Sequence, residues 1–343
     1  MRVAVLGQIA GPIGGQSRLT QAFRDGTRFR TVFFEFYGHK TWFGPVKLLW
    51  QAAYAAVLAL SGRIDSVYIA TSRSNFGMFR DIFLLLPFVI ARIPVVAHIH
   101  GAEFKVFFLE NARFRSIKSF YLRHVTRFIF VNEVFVPGNP EVSNRSTYVR
   151  NPVPSFVTEA LARNDTATKP QPGDRRCFGF ISTFAREKGV ELFLDAAEHY
   201  SDHADFIVAG GPSMEDERYG QAILERIGKM PEVEYLGYLS NPIAFYERCD
   251  VMIFPTNFAS ETSSLVVIEA LATHTLTIIR RHNRLADIFG SAPALWFNDR
   301  DGLMQQIEAV LAMPHYDLDR QVNAGVGSGI DGFHGICISH DVS

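Results

Sequence analysis

Two glutamates, Glu261 and Glu269, stand eight positions apart in ETSSLVVIEALA, one of the most apolar runs of the 343-residue chain. Eight steps of about 100° would leave them roughly 80° apart and about two turns distant on a single helix, too far to act as a pair there. Thr262, Ser263 and Ser264 are N-cap types, which predicts a helix starting among them and leaves Glu261 in the preceding loop. Glu269 is then the lone charge in LVVIEALA, a segment apolar nearly all round and so expected to be buried. A buried carboxylate costs on the order of several kcal/mol unless it is partnered. Its partner is a structural cation, a backbone cap or a group from outside the chain.

Other residues could share in chemistry with these two. Gly11, Gly14 and Gly15 follow the first apolar run and precede a predicted helix at Gln16 or Ser17, where backbone N–H groups can approach phosphate oxygens. The spacing fits neither a Walker loop nor GxGxxG, and a plain strand-to-helix turn explains it as well. His98 and His100 lie on one face at the end of PVVAHIHGAEF, ahead of Gly101 and Glu103. That spacing suits metal ligation, contact with a substrate, or a structural role, and no further ligand cluster accompanies it. Arg186 and Lys188, before Gly189 in FISTFAREKGVELF, place cations at another strand-to-helix junction, where they could neutralise a diphosphate leaving group. They also read as a solvated charge run. No GxSxG supports a Ser-His-Asp triad.

The elements that must hold these residues alternate short apolar runs with helical patterns, the mark of parallel sheets covered by helices. The predicted strands are RVAVLG, RTVFFEF, SVYIA, PVVAHIH and RFIFVN in the first half, then RCFGFIS, ADFIVAGG, VEYLGYL, DVMIFPT and LTIIRR in the second. Between the halves, residues 152–175 are rich in Pro, Asn, Asp and Thr and read as a linker. Two doubly wound α/β domains are expected, 1–155 and 156–322, facing a cleft at the carboxyl ends of their strands. A Gly-rich irregular tail covers 323–343.

Composition bounds the class. With 48% hydrophobic residues the chain can build two cores. Cys177, Cys249 and Cys337 form neither a CxxC nor an even framework, which suits a reducing compartment. The opening MRVAVLGQIAGP is too short an apolar run for a signal peptide, so a cytoplasmic location is expected. The run Ile82–Ala91 is too short to cross a bilayer. Net charge is −1, yet residues 1–150 carry 19 Lys and Arg against 8 Asp and Glu, leaving 15 against 27 for the rest. Such asymmetry predicts different partners for the two halves.

In order and spacing, AREKGVELFLDAA, FIVAGGP, VEYLGYLSNPIAFYERCDVMIFPT and ETSSLVVIEALA resemble the nucleotide-sugar-binding domain of retaining GT-B glycosyltransferases, specifically glycosyltransferase family 4. The likeness is strong over 175–290 and looser over 1–155, through GPIGGQS, HIHGAEF and RNPVP. The resemblance implies two Rossmann-like domains and transfer of a hexosyl group, with retention, from a UDP-, GDP- or ADP-sugar to a glycan or lipid-linked acceptor in bacterial surface polysaccharide synthesis. It implies no cofactor and no metal. Glu269 would bind the ribose, Glu261 would lie near the sugar ring, and N–H groups at Ser263, Ser264 and Leu265 would approach the diphosphate. Lys188 would contact the diphosphate, Gly14 and Gly15 would back it from the first domain, and His100 would stand at the acceptor side. On this view each carboxylate gains its partners only with the donor bound.

The chain departs from the family pattern in three places. Ser182-Thr183 stand where Gly-Arg is usual, with Arg186 as a possible substitute; His274 and Leu276 replace a Gly and a Pro; and the final helix that crosses back is not recognisable. Two further functions compete: a non-catalytic nucleotide-sugar-binding partner of a polysaccharide assembly complex, and a metal-dependent hydrolase built on His98 and His100. The basic first half mixes aromatic and cationic residues over 41–60 and 104–128, which predicts peripheral binding to an anionic membrane on its inner face. Nucleic acid is not expected, since no recognised binding motif accompanies the charge.

Overall fold

A computed structural model describes residues 1–7, 29–35, 44–72, 74–149, 175–213, 216–258, 261, 264–282, 285–289 and 294–314. The chain forms two compact units, Met1–Asn151 and Pro152–Ser343. The linker 152–174 and the tail 323–343 lie outside the described residues.

In the first unit, strands β1 (Arg2–Gly7), β2 (Arg30–Glu35), β3 (Ser66–Ala70), β4 (Val95–Ile99), β5 (Arg127–Phe130) and β6 (Ser146–Tyr148) form a parallel sheet of order β2-β1-β3-β4-β5-β6. Helix α1 (Gly44–Leu60) joins β2 to β3, and α2 (Asn75–Ile90) joins β3 to β4. Both crossovers run the same way across the sheet, so they cover one face. The two helices pack side by side. A π-turn (Lys105–Glu110), α3 (Arg115–His124) and the single turn α4 (Pro140–Ser143) complete the covering elements. The sheet interior reads as parallel strands should, with Ala4, Leu6, Val67, Ile69, Ala97 and Phe128 all buried.

The second unit holds β7 (Arg176–Phe184), β8 (Ala204–Pro212), β9 (Val233–Tyr235), β10 (Val251–Phe254), β11 (Leu276–Arg280) and β12 (Ala294–Phe297), in the order β12-β11-β10-β7-β8-β9. Its helices are α5 (Val190–Tyr200), α6 (Glu217–Ile227), α7 (Ile243–Arg248), α8 (Leu265–Ala272), α9 (Leu285–Phe289) and α10 (Arg300–Ala312). Counted within the unit, this is the 3-2-1-4-5-6 winding of dinucleotide folds, whose order reverses between β7 and β10. All ten predicted strands are present. β6 and β12 are additional, and both are short edge strands.

The ladder between β7 and β10 pairs Val251 with Phe178 and Met252 with Gly179. Pairing of β7 with β8 continues to Phe184 and Pro212. At its carboxyl end β7 is therefore held from the β8 side, which leaves the switch point open. Gly179 lets α7 pack closely on β7, because a Cβ there would lie 2.5 Å from Cys249 Sγ and 2.6 Å from the Phe245 ring.

Candidate functional site

The carboxyl end of β7 turns through a 3₁₀ segment, Arg186–Lys188, into α5. The Asn257 N–H (2.6 Å) and the Thr256 hydroxyl (3.2 Å) donate to the Glu187 carbonyl, stitching this turn to the loop after β10. Gly189 makes the close approach possible: its φ is +74°, and a Cβ would lie 2.4 Å from the Pro255 carbonyl oxygen. Left-handed backbone alone costs a non-glycine residue about 1–2 kcal/mol, and here the loop must also move. Gly189→Ala is expected to lower Tm by about 4–8 °C, the shift that about 2 kcal/mol gives a domain of this size. Thermal unfolding followed by circular dichroism checks it; an unchanged Tm would show that the loop yields freely.

The stitched loops bring Lys188 to Glu261, with Nζ 2.7 Å from Oε2. The Lys188 ammonium also lies 4.5 Å from the centroid of the Phe258 ring. Both side chains are largely withdrawn from water, at 20% and 12% exposure, so the pair is stronger than a surface ion pair. Glu261 stands in the loop, as its position before the N-cap residues predicts. Ser264 is the N-cap of α8, and the helix proper begins at Leu265.

Glu269 is 1% exposed on α8. The Tyr246 hydroxyl on α7 donates to its Oε2 at 2.9 Å. The expectation that both carboxylates wait for a ligand to supply partners is therefore corrected. Glu261 is paired with Lys188 and Glu269 holds Tyr246, because a carboxylate this far from water needs a donor in every state of the protein. Tyr246 and Phe258 are the residues that sequence reasoning missed. Tyr246 lies 23 positions before Glu269 and reaches it only through the return of β10 and α8.

Arg186 does not join this group. It stacks 4.4 Å over the Tyr219 ring and pairs with Asp216 at 3.2 Å, at the start of α6. Its side chain is 67% exposed. Thr183 is exposed at the position the resemblance gives to arginine. Gly14, Gly15 and Ser263 lie outside the described residues.

The departures at the end of α8 have a local explanation. Thr275 N–H donates to Ala270 O (2.8 Å) and His274 N–H to Leu271 O (3.3 Å), a Schellman closure with His274 at φ 55°. That left-handed position is the one where glycine is ordinarily placed. His274→Gly is expected to keep the fold and gain a few tenths of a kcal/mol, since about 1 kcal/mol of relieved strain exceeds the added freedom of the unfolded chain. A chemical-denaturation midpoint that falls instead would show that the His274 side chain outweighs the strain. Leu276 N–H donates to Asp250 O at 3.1 Å, a bond proline could not make.

In the first unit, His98 and His100 sit at the carboxyl end of β4 with ring centroids 4.0 Å apart. Tyr68 Oη lies 2.6 Å from His98 Nδ1. Burial, and next the neighbouring His100, hold His98 well below the usual histidine range, so it is neutral at pH 7. Among the described residues no three His, Cys, Asp or Glu side chains converge as metal ligands. Burial, with Asp250 nearby, pushes the Cys177 thiol up to about 12, which marks it as inert.

The stretch 104–128 divides between core and surface: Lys105, Arg113, Arg115, Arg123 and Arg127 are exposed, while part of it turns inward. Phe104, Phe108, Tyr121 and Lys118 are all buried. Lys118 donates to the Asn111 carbonyl at 3.1 Å and lies 4.5 Å from the Phe107 ring centroid. Its aromatic and basic residues are therefore not all available to a lipid surface. No described helix is long and apolar enough to cross a membrane.

Comparison with known proteins agrees with this architecture. Residues 175–313 match the family model described as glycosyl transferases group 1. Among solved structures, Anabaena Alr3699/HepE in complex with UDP and glucose aligns over 95% of this chain and 93% of its own, with TM-score 0.66 and 13% identity. Sucrose-phosphate synthase from Thermosynechococcus elongatus aligns over 98% of both chains, with TM-score 0.63 and 14% identity. The apo form of the lipopolysaccharide outer core galactosyltransferase WaaB aligns over 95% of both, with TM-score 0.56 and 11% identity. No curated protein sequence matches the chain. With two parallel six-stranded sheets that align with these structures along nearly their whole length, the chain has the GT-B fold, and its second unit matches the glycosyl transferases group 1 model over the switch point of its sheet.

Proposed function

We propose that the protein is a retaining glycosyltransferase that moves a hexosyl group from a nucleoside diphosphate sugar to a glycan or lipid-linked acceptor, in bacterial surface polysaccharide synthesis. The observation that carries the reading is the Lys188–Glu261 pair, 2.7 Å apart beside the N-terminus of α8 at the switch point of the second sheet. Ligands of open α/β sheets bind at such points. The N–H groups at Ser264 and Leu265 and the Lys188 ammonium offer positive charge to a diphosphate as it departs. Glu269 offers a carboxylate to the ribose, and Glu261 one to the sugar. His100 serves the acceptor side, and Arg186 a phosphate oxygen at the edge of the site. Charge on the leaving diphosphate is met by these groups without a metal ion, so turnover in EDTA should equal turnover in magnesium.

The likeness to an Anabaena protein solved with UDP and glucose supports a nucleotide-sugar donor. The basic first unit supports work at an anionic membrane, with the protein peripheral on its cytoplasmic face. A non-catalytic nucleotide-sugar-binding role is the second reading, favoured by Thr183 at the arginine position. A thermal-shift panel of UDP-, GDP- and ADP-sugars tests the donor site, because a bound donor raises Tm by mass action. One class of nucleotide should raise it; none doing so at millimolar concentration would contradict the reading.

A further inference from the structure

Helices α1 and α2 depart from the pattern of a helix covering a sheet, in which the outer face is charged. On α1, Val46, Trp50, Val57 and Leu60 point outward, with Trp50 at 65% and Leu60 at 82% exposure. On α2, Phe76, Phe79, Phe83, Leu86 and Ile90 recur every three or four residues along the exposed face. The helices pack side by side, so the two stripes form one continuous apolar surface. Surfaces of this extent on a folded protein mark an interaction site. The charges of α2 are turned inward instead: Asp81 is 1% exposed and binds Arg80 at 2.8 Å and the Ser72 N–H at 3.0 Å.

The rim of the surface is basic. Apart from the inward Arg80–Asp81 pair, the charged residues of 44–64 and 74–94 are Lys47, Arg63 and Arg92, all cations. Arg92 occupies the left-handed position (φ 57°) of the Schellman closure of α2, where Ile93 N–H donates to Phe88 O (2.9 Å) and Arg92 N–H to Val89 O (3.0 Å). Phe114 is also left-handed (φ 59°), with its ring 5.0 Å from that of Phe79 and the Arg113 guanidinium 5.1 Å above it. Two strained positions thus hold a cation and an aromatic ring at the edge of the patch, where glycine would be easier.

We propose that the outer face of α1 and α2 inserts into the headgroup–acyl boundary of an anionic lipid leaflet, with Arg63, Arg92 and Arg113 on the lipid phosphates. Exposed aromatic and aliphatic stripes with a cationic rim match that boundary in both polarity and charge. A second copy of the chain fits less well, since an isologous interface sets the basic rim against itself. The proposal rests on the peripheral-membrane reading above: α1 falls within the expected stretch 41–60, Arg113 and Phe114 belong to 104–128, and α2 is added to them.

Flotation of the full chain tests it, using vesicles of phosphatidylcholine alone and with 30% phosphatidylglycerol added, while sedimentation velocity reports the oligomeric state. The unaltered protein should float with the anionic vesicles, less so as salt rises. The double variant Trp50→Gln/Phe83→Gln should lose at least tenfold of that binding with Tm unchanged, because both residues are exposed. Arg92→Gly should lose about fivefold, the effect of one cation near such a surface, and keeps the test open if the double variant folds poorly. Equal flotation of the unaltered protein and both variants overturns this surface and leaves the peripheral reading standing. No flotation of the unaltered protein overturns both. A dimer that the double variant dissociates, without flotation, assigns the face to a second copy and overturns the proposal.

Discussion

Glu269→Ala is expected to weaken binding of the nucleotide-sugar donor by roughly 100-fold or more while the protein still folds. Two hydrogen bonds from ribose hydroxyls to a charged acceptor, each contributing about 1.5–3 kcal/mol, account for a loss of that size. The carboxylate is 1% exposed and accepts from Tyr246 at 2.9 Å, so its removal is also felt by the fold. The stranded Tyr246 hydroxyl costs about 1–3 kcal/mol, which in a domain of this size lowers Tm by several degrees without unfolding it. Glu269→Gln keeps an acceptor and should lose less of both. Calorimetric titration beside thermal melting separates the two roles. If Glu269→Ala melts early yet binds donor normally, the carboxylate is a structural anchor for α7 and the ribose role is wrong.

Lys188→Ala is expected to lower kcat by about 100-fold or more and to raise the half-saturating donor concentration by less than tenfold. Negative charge on the departing diphosphate grows towards the transition state, so a cation beside it acts mainly there. The variant has a second consequence, since Glu261 is left with 12% side-chain exposure and without its 2.7 Å partner. The double variant Lys188→Ala/Glu261→Gln distinguishes the two. If the stranded carboxylate caused the loss, the double variant turns over as fast as Glu261→Gln alone; if the leaving group needs the ammonium, it stays about 100-fold slower than Glu261→Gln. A loss confined to donor binding would contradict the assignment of Lys188 to the chemical step.

Much of this was legible before any coordinates. Central parallel strands are buried on both faces and read as unbroken apolar runs, which is why RVAVLG and SVYIA match β1 and β3 residue for residue. Edge strands have no such signature. Ser146–Tyr148 is three residues long and polar at two of them, and Ala294–Phe297 is four. The cap residues before LVVIEALA located the start of α8 and put Glu261 in its loop. The pairing of Lys188 with Glu261, 73 positions away, has no local cause and follows from the strand order.

Faces were the hardest to read. A helix apolar nearly all round is expected to be buried, and that rule succeeds for α8 but fails for α2, whose outer face is open. An apolar run shows how much of a helix avoids charge and not which side meets the protein. The stretch 104–128 shows both behaviours at once. Its π-turn at Lys105–Glu110 breaks the helical period, and Phe104, Phe108, Tyr121, Phe128 and Lys118 turn into the core while Phe114 and the remaining cations stay exposed. Left-handed residues such as Arg92, Phe114 and His274 were hidden as well, because only glycine or asparagine advertises that backbone in a sequence.

Transfer itself is the most direct measurement of the central claim. The purified protein is incubated with radiolabelled UDP-, GDP- and ADP-sugars and a membrane fraction containing glycan and lipid-linked acceptors, and nucleoside diphosphate release is followed beside label in the acceptor. The account predicts that one donor releases its diphosphate in proportion to label transferred, with the anomeric configuration kept in the product, and that Lys188→Ala lowers both signals by about 100-fold or more under the same conditions. Binding of a donor without release of diphosphate or movement of label, in acceptor fractions that a known transferase can use, would contradict it and leave the chain a nucleotide-sugar-binding protein.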